Sequence, residues 1–212
     1  LPVLRRCVEE LNFCFLFAPS FHPAFKEIGP VRRALAAEGM RTIFNILGPL
    51  INPARPAYEL LGVFSEAWVR PLAGALGELG LTAGLTVHGR LDERTGMDEF
   101  SSAGANHICG FGKLADVDVV WTPDELGLEP CPAIELCGRT AAENVATLRQ
   151  MVRGEGPKGL IDTISLNAGA ALWIVGKATD IRKGTKQARQ LLTGGPVAAW
   201  LEKAEKLFKE LA

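Results

Sequence analysis

Apolar positions recur at helical spacing near both ends of the chain. The first stretch predicts an amphipathic helix over residues 2–12, with four apolar residues on one face: Leu4, Cys7, Val8 and Leu11. Thr140-Ala-Ala-Glu143 is a capping box, in which hydroxyl and carboxylate satisfy the first N–H groups of a helix. From this point the pattern is helical to the end of the chain. Helices are predicted near 140–153, 159–175, 178–193 and 196–211.

The middle of the chain carries short apolar runs that predict strands. Residues 58–64 and 84–88 flank a helical stretch at 67–79, which Gly80 would end. A strand, a helix and a second strand in so short a span predict a βαβ unit with parallel strands.

Two further regions of strand pattern follow different rules. Residues 107–111 and 117–121 are separated by a turn that contains Gly112, which predicts an antiparallel pair. The aromatic run at 13–17 predicts a buried strand near the start of the chain.

Prolines interrupt the segment between residues 17 and 53. Proline fixes the backbone at helix starts and stops, so the segment predicts short helical pieces near 23–26, 31–38 and 40–46. His22 precedes one of these pieces, and Arg32 lies at the start of another. The five prolines are Pro19, Pro23, Pro30, Pro49 and Pro53.

Composition excludes several classes of protein. The 212 residues are 48% hydrophobic and 22% charged, which is an ordinary globular balance. A net charge of -1 gives no basic surface for nucleic acid. No apolar run is long enough to span a membrane. The five cysteines show no C-x-x-C spacing, which favours free thiols in a reducing cytosol.

Two small constellations can carry chemistry. Asp98 and Glu99 follow the predicted strand 84–88, where adjacent carboxylates can bind Mg²⁺ together with water. For a bare acidic pair, a solvated loop is the commoner structure. Arg32 offers a planar guanidinium that matches a carboxylate, although an arginine on a helix is more often a plain surface residue. His88 and His107 have no partner at catalytic or metal spacing and are interpreted as structural.

Four motifs appear in an order that resembles anthranilate phosphoribosyltransferase. They are F-A-P-S-F-H-P-A at 17–24, G-P-V-R-R-A-L at 29–35, R-T-I-F-N-I-L-G-P-L-I-N-P at 41–53 and M-D-E-F-S at 97–101. Each motif alone is weak, but their order and spacing are specific. In weaker form the resemblance covers nearly the whole chain.

The resemblance implies an α/β domain of the nucleoside phosphorylase and phosphoribosyltransferase type. Its mixed central sheet would be surrounded by helices, with part of a small helical lobe beside it. Residues 1–22 would supply a helix and the first strand of the α/β domain, residues 23–50 part of the small lobe, and residues 51–212 the large α/β domain.

The resemblance also implies a reaction and its site. The expected activity is Mg²⁺-dependent transfer of phosphoribose from phosphoribosyl pyrophosphate to anthranilate, in tryptophan biosynthesis. Asp98 and Glu99 would hold Mg²⁺. Arg32 would bind anthranilate, facing the acids across a shared cleft, while His22 and Pro49 would line the channel for anthranilate. The family further implies a cytoplasmic homodimer.

Three family motifs do not occur in this sequence: the glycine-rich G-T-G-G-D phosphate loop, N-x-S-T and K-H-G-N. The chain starts at Leu1 within a predicted helix, so they are expected before it in a longer protein, and the chain alone is expected to be inactive. Three alternatives stay open: a pyrimidine nucleoside phosphorylase, a non-catalytic nucleic-acid-binding relative of the same fold, and a fragment that serves dimerisation only.

Overall fold

The structure, a computed structural model, describes residues 2–22, 27–40, 42–43, 46–92 and 95–211, without the side chains of residues 18, 19 and 32. The chain divides into two compact units. One comprises Leu1–Pro56 together with Glu202–Ala212, and the other comprises Ala57–Leu201. Within the described ranges, no helix combines the length and the apolar character needed to cross a bilayer.

Helices dominate the first unit. The predicted N-terminal helix is confirmed as α1, Pro2–Leu11, which buries Cys7 and Leu11. The helix predicted near 31–38 is confirmed as α3 (Gly29–Ala37), where Pro30 occupies the first turn, because the nitrogen at that position has no helical hydrogen bond to lose. Two further helices lie on either side of it in the sequence, α2 (Ala18–Phe21) before it and α4 (Leu47–Leu50) after it.

The strand predicted at 13–17 is wrong. Residues 13–17 are neither strand nor helix, and Phe13, Phe15 and Phe17 are 49%, 72% and 57% exposed. Alternating aromatic residues favour a strand only where a neighbouring strand accepts their backbone, and no described strand pairs with this run. The helix predicted at 23–26, and part of the one at 40–46, lie outside the described residues. The assignment of 1–22, 23–50 and 51–212 to separate domains stays a prediction.

The second unit is built on a mixed five-stranded sheet, which confirms the predicted fold class. The strands are β1 (Tyr58–Gly62), β2 (Ala83–Arg90), β3 (Gly96–Met97), β4 (Asn106–Gly112) and β5 (Asp118–Trp121). The path of the sheet is β1-β2-β4-β5, with β3 attached to β2. β1 and β2 are parallel, as the βαβ prediction requires, and all other pairs are antiparallel.

β3 continues the edge of the sheet where β1 stops. Gly89 of β2 pairs with Asn106 of β4 on one edge and with Met97 of β3 on the other. β1 occupies that second edge only as far as Gly62, which is opposite Val87. β3 therefore lies directly beyond the carboxyl end of β1.

Helices cover both faces of the sheet. α5 (Val69–Glu78) connects β1 to β2 and buries Leu72 and Leu76. On the other face, the core contains Leu85, Val87 and Ile108 of the sheet and Leu166, Ala170 and Ile174 of α7 (Lys158–Ile174). The C-terminal helices agree with the prediction: α6 (Ala141–Met151), α7 (Lys158–Ile174), α8 (Ile181–Thr193) and α9 (Pro196–Leu211).

α7 is the central helix of this unit because α8 fixes it by close packing and by charge. Gly169 and Gly184 meet where neither position has room for a Cβ atom. The Asp162 side chain is 1% exposed and forms ion pairs with Lys158, at 3.1 Å, and with Arg189 of α8. Breaking a buried pair of this kind leaves an uncompensated charge, which is strongly destabilising.

Candidate functional site

Two adjacent carboxylates lie at the carboxyl end of the parallel strands. Asp98 and Glu99 follow β3, and both are exposed. A Cβ atom at Gly62 would collide with the Asp98 carbonyl oxygen, and one at Gly89 would collide with the Glu99 carbonyl oxygen. Glycine is therefore required at the ends of β1 and β2 for the acidic segment to approach them this closely. Ligands bind α/β sheets at this edge.

Buried side chains fix the chain immediately after the acids. The Phe100 side chain is 0% exposed. Its backbone N–H donates to Asn167 Oδ1 at 3.1 Å, and Asn167 Nδ2 donates to the Phe100 carbonyl at 2.9 Å. Ser101 is held in the same way, because its N–H donates to Asn106 Oδ1 at 2.7 Å and Asn106 Nδ2 donates to its carbonyl at 2.9 Å.

A third buried contact follows at Ser102. Its N–H donates to Thr163 Oγ1 at 3.1 Å, and the two hydroxyls are 2.8 Å apart. The Ser102 hydroxyl also donates to the Gly159 carbonyl at 3.0 Å. α7 thus contributes Gly159, Thr163 and Asn167 to the support of the acidic segment.

The surroundings of Glu99 disfavour its charged form. Partial withdrawal from water raises the pKa of the Glu99 carboxyl above its ordinary value, and the neighbouring Asp98 charge raises it further. A bound divalent cation would favour the charged form of this carboxyl and so oppose both effects. The donor set therefore fits a hard cation that takes oxygen ligands.

A complete protein-only metal cage is not present in the described residues. They contain no group of three or more histidine, cysteine, aspartate or glutamate side chains that could hold a metal ion. Asp98 and Glu99 would supply only part of a coordination shell. Mg²⁺ suits such a site because it keeps several waters and binds through one or two carboxylates plus phosphate oxygens.

The His88 side chain, on β2, packs against β3. It is 8% exposed, and its Nδ1 is 2.7 Å from the Val63 carbonyl oxygen. A Cβ atom at Gly96 of β3 would collide with the imidazole ring. The imidazole ring therefore packs directly against β3, the strand that immediately precedes Asp98 and Glu99.

A second charged cluster surrounds His107 on β4. Its Nδ1 is 3.3 Å from Glu66 Oε1, and its Nε2 is 3.5 Å from Asp118 Oδ1. Each carboxylate also pairs with an arginine: Glu66 with Arg90 at 2.5 Å and Asp118 with Arg70 at 2.7 Å. These arginines lower the pKa of both carboxyls below their ordinary values, against a smaller opposing effect of burial.

We expect this cluster to make the fold sensitive to acid. Because the folded pKa values of Glu66 and Asp118 are lowered, their contribution is complete above the ordinary values of 4.5 and 3.8 and is lost as the pH falls through the folded values. Urea unfolding measured from about pH 7 down to about pH 3 should give a falling free energy of unfolding. The double variant Glu66→Gln/Asp118→Asn should be less stable at neutral pH and should fall less steeply in acid. An unchanged slope in this variant would contradict the assignment.

Gly62→Ala should displace the acidic segment. The new methyl group overlaps the backbone of Asp98, which must move, and overpacking of this kind costs about 1–3 kcal/mol. Gly74→Ala is the matched control because no atom lies within 4 Å of its added Cβ atom. In the middle of α5 this change should raise stability by up to about 1 kcal/mol. Hydrogen exchange of 96–99 should increase in Gly62→Ala only, and equal exchange in both variants would refute the contact.

The predicted acceptor residues belong to the first unit. Arg32 lies in α3, and only its backbone is described. His22 follows α2 and is half-buried, while Pro49 is half-buried within α4. Asp98 and Glu99 belong to the second unit. The proximity of Arg32 to the acids and the roles of His22 and Pro49 therefore stay predictions.

Sequence reasoning missed the residues that hold the acidic segment. Asn167, Asn106 and Thr163 match no catalytic motif. One signal was available for Asn167, because an amide side chain that is partly withdrawn from water on a mostly apolar helix needs hydrogen-bond partners. Its partner, the backbone of Phe100, is distant in sequence and could not be predicted.

Comparison with known families gives a match over most of the chain. Residues 3–198 match a family described as "Glycosyl transferase family, a/b domain". A relative from Thermus thermophilus, named anthranilate phosphoribosyltransferase, is 42% identical over 196 residues, which is 92% of this chain and 56% of the relative. A relative of the same name from Shewanella amazonensis is 41% identical over 189 residues, or 89% of this chain and 53% of the relative.

Solved structures agree with the fold. The crystal structure of anthranilate phosphoribosyltransferase from Thermus thermophilus superposes with a TM-score of 0.83 at 40% identity, covering 98% of this chain and 59% of that structure. A Saccharomyces cerevisiae variant of the enzyme with Mg bound gives a TM-score of 0.79 at 23% identity, over 96% of this chain and 58% of that structure, and supports the fold alone. The chain thus spans little more than half the length of these relatives.

Proposed function

Because the chain belongs to the glycosyl transferase family with an α/β domain, we propose that it is part of an enzyme that transfers phosphoribose to anthranilate. The anthranilate nitrogen forms a bond to C1 of the sugar, and the C1–O bond breaks with its electron pair leaving on pyrophosphate. The nitrogen loses a proton to solvent. The observation that carries the proposal is the acidic pair Asp98–Glu99, locked at the carboxyl end of β1 and β2.

Asp98 and Glu99 are the residues that would hold Mg²⁺. When bound, the ion would neutralise the charge of the leaving pyrophosphate. The chain contributes rigidity to this site, since Phe100, Ser101 and Ser102 are anchored in the core directly after the acids. A donor set held in place in advance stabilises developing charge without reorganisation at the moment of reaction.

Arg32, His22 and Pro49 form the proposed acceptor site. The guanidinium of Arg32 would bind the carboxylate of anthranilate through two parallel hydrogen bonds. His22 and Pro49 would line the channel by which the aromatic ring enters. These residues orient the acceptor nitrogen, and correct positioning alone contributes substantially to the rate of a two-substrate reaction.

We also propose a role in tryptophan biosynthesis and assembly as a homodimer. The reaction belongs to tryptophan biosynthesis in the cytoplasm, a setting supported by five cysteines that are all free. A homodimer is supported by exposed apolar side chains in the first unit. They include Val3, Val8, Phe15 and Val31, at 46%, 50%, 72% and 60% exposure.

The 212-residue chain alone should catalyse the phosphoribosyl transfer slowly or not at all. Its sequence contains no G-T-G-G-D loop, whose backbone N–H groups would hold the pyrophosphate. The function is therefore tested in a chimera in which this chain replaces the matching part of the Thermus thermophilus relative. The chimera should form phosphoribosyl anthranilate from the two substrates with a requirement for Mg²⁺. A folded chimera that lacks this activity would overturn the proposed function.

A further inference from the structure

We propose that Asn167 of α7 is a positioning residue for the divalent cation, acting through the backbone of Phe100. This inference rests on the proposed function of Asp98 and Glu99 as the cation ligands. Asn167 does not touch the cation in this account. It fixes the residue that directly follows Glu99, and so fixes the direction in which the acidic pair leaves the core.

Both the oxygen and the nitrogen of the Asn167 amide form hydrogen bonds. Oδ1 accepts from the Phe100 N–H at 3.1 Å, while Nδ2 donates to the Phe100 carbonyl at 2.9 Å and to the Thr163 carbonyl at 2.9 Å. The last bond is to the helix's own preceding turn and holds the side chain in its rotamer. The amide therefore presents its donor and acceptor to Phe100 in a fixed orientation.

Only an amide side chain of this length meets both requirements. Aspartate has the same size but cannot donate to the Phe100 carbonyl, and alanine removes both bonds. The backbone N–H and C=O of Phe100 would then lack partners, and a conformation that exposes them to water would be favoured. The anchor that would be released is immediately adjacent to Glu99, so the backbone that carries the acids would lose its fixed direction.

The scaffold around Asn167 is rigid enough to transmit this constraint. Asp162 lies five residues before Asn167 on the same helix, and it forms ion pairs with Lys158 and with Arg189 of α8. Asn106 holds Ser101 with the same pair of hydrogen bonds. Mutation of residues that orient metal ligands without touching the metal typically weakens metal affinity by about 10–100-fold.

The fold also offers a matched control for Asn167. Asn144 of α6 receives a hydrogen bond from the Arg139 N–H at 3.0 Å and donates to the Arg139 carbonyl at 3.2 Å. This is the same two-bond contact between an asparagine and the backbone of one residue. It lies on an exposed segment that includes neither acid, so Asn144→Ala reports the loss of the contact without any effect on the cation site.

The test is the affinity of the 212-residue chain for Mn²⁺, used as a spectroscopic substitute for Mg²⁺ and measured by electron paramagnetic resonance. Asn167→Ala should weaken Mn²⁺ binding by about 10-fold or more. Asn144→Ala should bind as the wild type does. Hydrogen exchange at the Phe100 amide should accelerate in Asn167→Ala, while urea unfolding confirms that each variant is folded.

The outcomes separate the inference from the function on which it rests. If Asp98→Asn/Glu99→Gln abolishes Mn²⁺ binding but Asn167→Ala leaves it unchanged, the role of Asn167 is refuted and the cation site stands. If the double variant binds Mn²⁺ normally, the cation site itself is refuted. Should Asn167→Ala fail to fold, Asn167→Leu, which keeps the approximate size and adds no charge, carries the same comparison with Asn144→Leu.

Discussion

Replacement of both acids, Asp98→Asn with Glu99→Gln, should abolish Mg²⁺-dependent turnover in the chimera with the Thermus thermophilus relative. A bound metal contributes several kcal/mol to the stabilisation of charge in a transition state, so kcat/KM should fall by about 1,000-fold or more. Both side chains are exposed, and their backbone is fixed by neighbouring residues. The free energy of unfolding should therefore change little, and the loss should be one of activity.

Another adjacent acidic pair in the chain serves as the control. Asp124 and Glu125 lie in a short 3-10 helix after Pro123 and are exposed. Asp124→Asn with Glu125→Gln changes the net charge by the same amount and should retain activity. Equal losses in the two double variants would show that overall charge matters, and that residues 98 and 99 have no special role.

Arg32→Ala should act on the acceptor substrate. Loss of a charge-assisted, two-bond contact with a carboxylate costs about 1.5–3 kcal/mol, which corresponds to a rise of about 10- to 150-fold in the KM for anthranilate. The kcat at saturating anthranilate should change far less, because the arginine orients the acceptor and does not take part in bond making. Steady-state kinetics of the chimera, with each substrate varied in turn, measures this separation.

Arg33→Ala is the matched control for Arg32. The two arginines occupy adjacent positions of α3, and successive positions of an α-helix are about 100° apart around its axis. Arg33→Ala should leave the KM for anthranilate near its wild-type value. If Arg32→Ala instead lowers kcat and leaves the KM for anthranilate unchanged, its assignment as the carboxylate-binding residue is wrong.

The fold could be predicted from the sequence where local pattern and tertiary structure agree. The capping box at Thr140 forms as expected, with the Glu143 N–H donating to the Thr140 hydroxyl and the Glu143 carboxylate accepting from the Thr140 N–H. The parallel β1–β2 pair follows from the short strand, helix, strand pattern. The run at 13–17 failed because strand pattern needs a pairing partner, and residue spacing within one segment does not reveal whether one exists.

The candidate site could be predicted only in part. The acids at 98 and 99 form a recognisable pair after a strand, and the structure places them at the carboxyl end of β1 and β2. Their support could not be predicted, because Asn167 and Phe100 are 67 positions apart and meet only through the packing of α7 on the sheet. The need for glycine at Gly62 likewise becomes visible only when Asp98 is seen to cross it.

The central claim is that Asp98 and Glu99 together bind a divalent cation, and anomalous X-ray diffraction from crystals of the chain soaked in Mn²⁺ tests it most directly. The account predicts an anomalous peak at about 2.0–2.2 Å from carboxylate oxygens of both residues. The peak should be absent from crystals of Asp98→Asn/Glu99→Gln prepared in the same way. A peak that survives in the double variant, or wild-type crystals without any peak at these side chains, would contradict the claim.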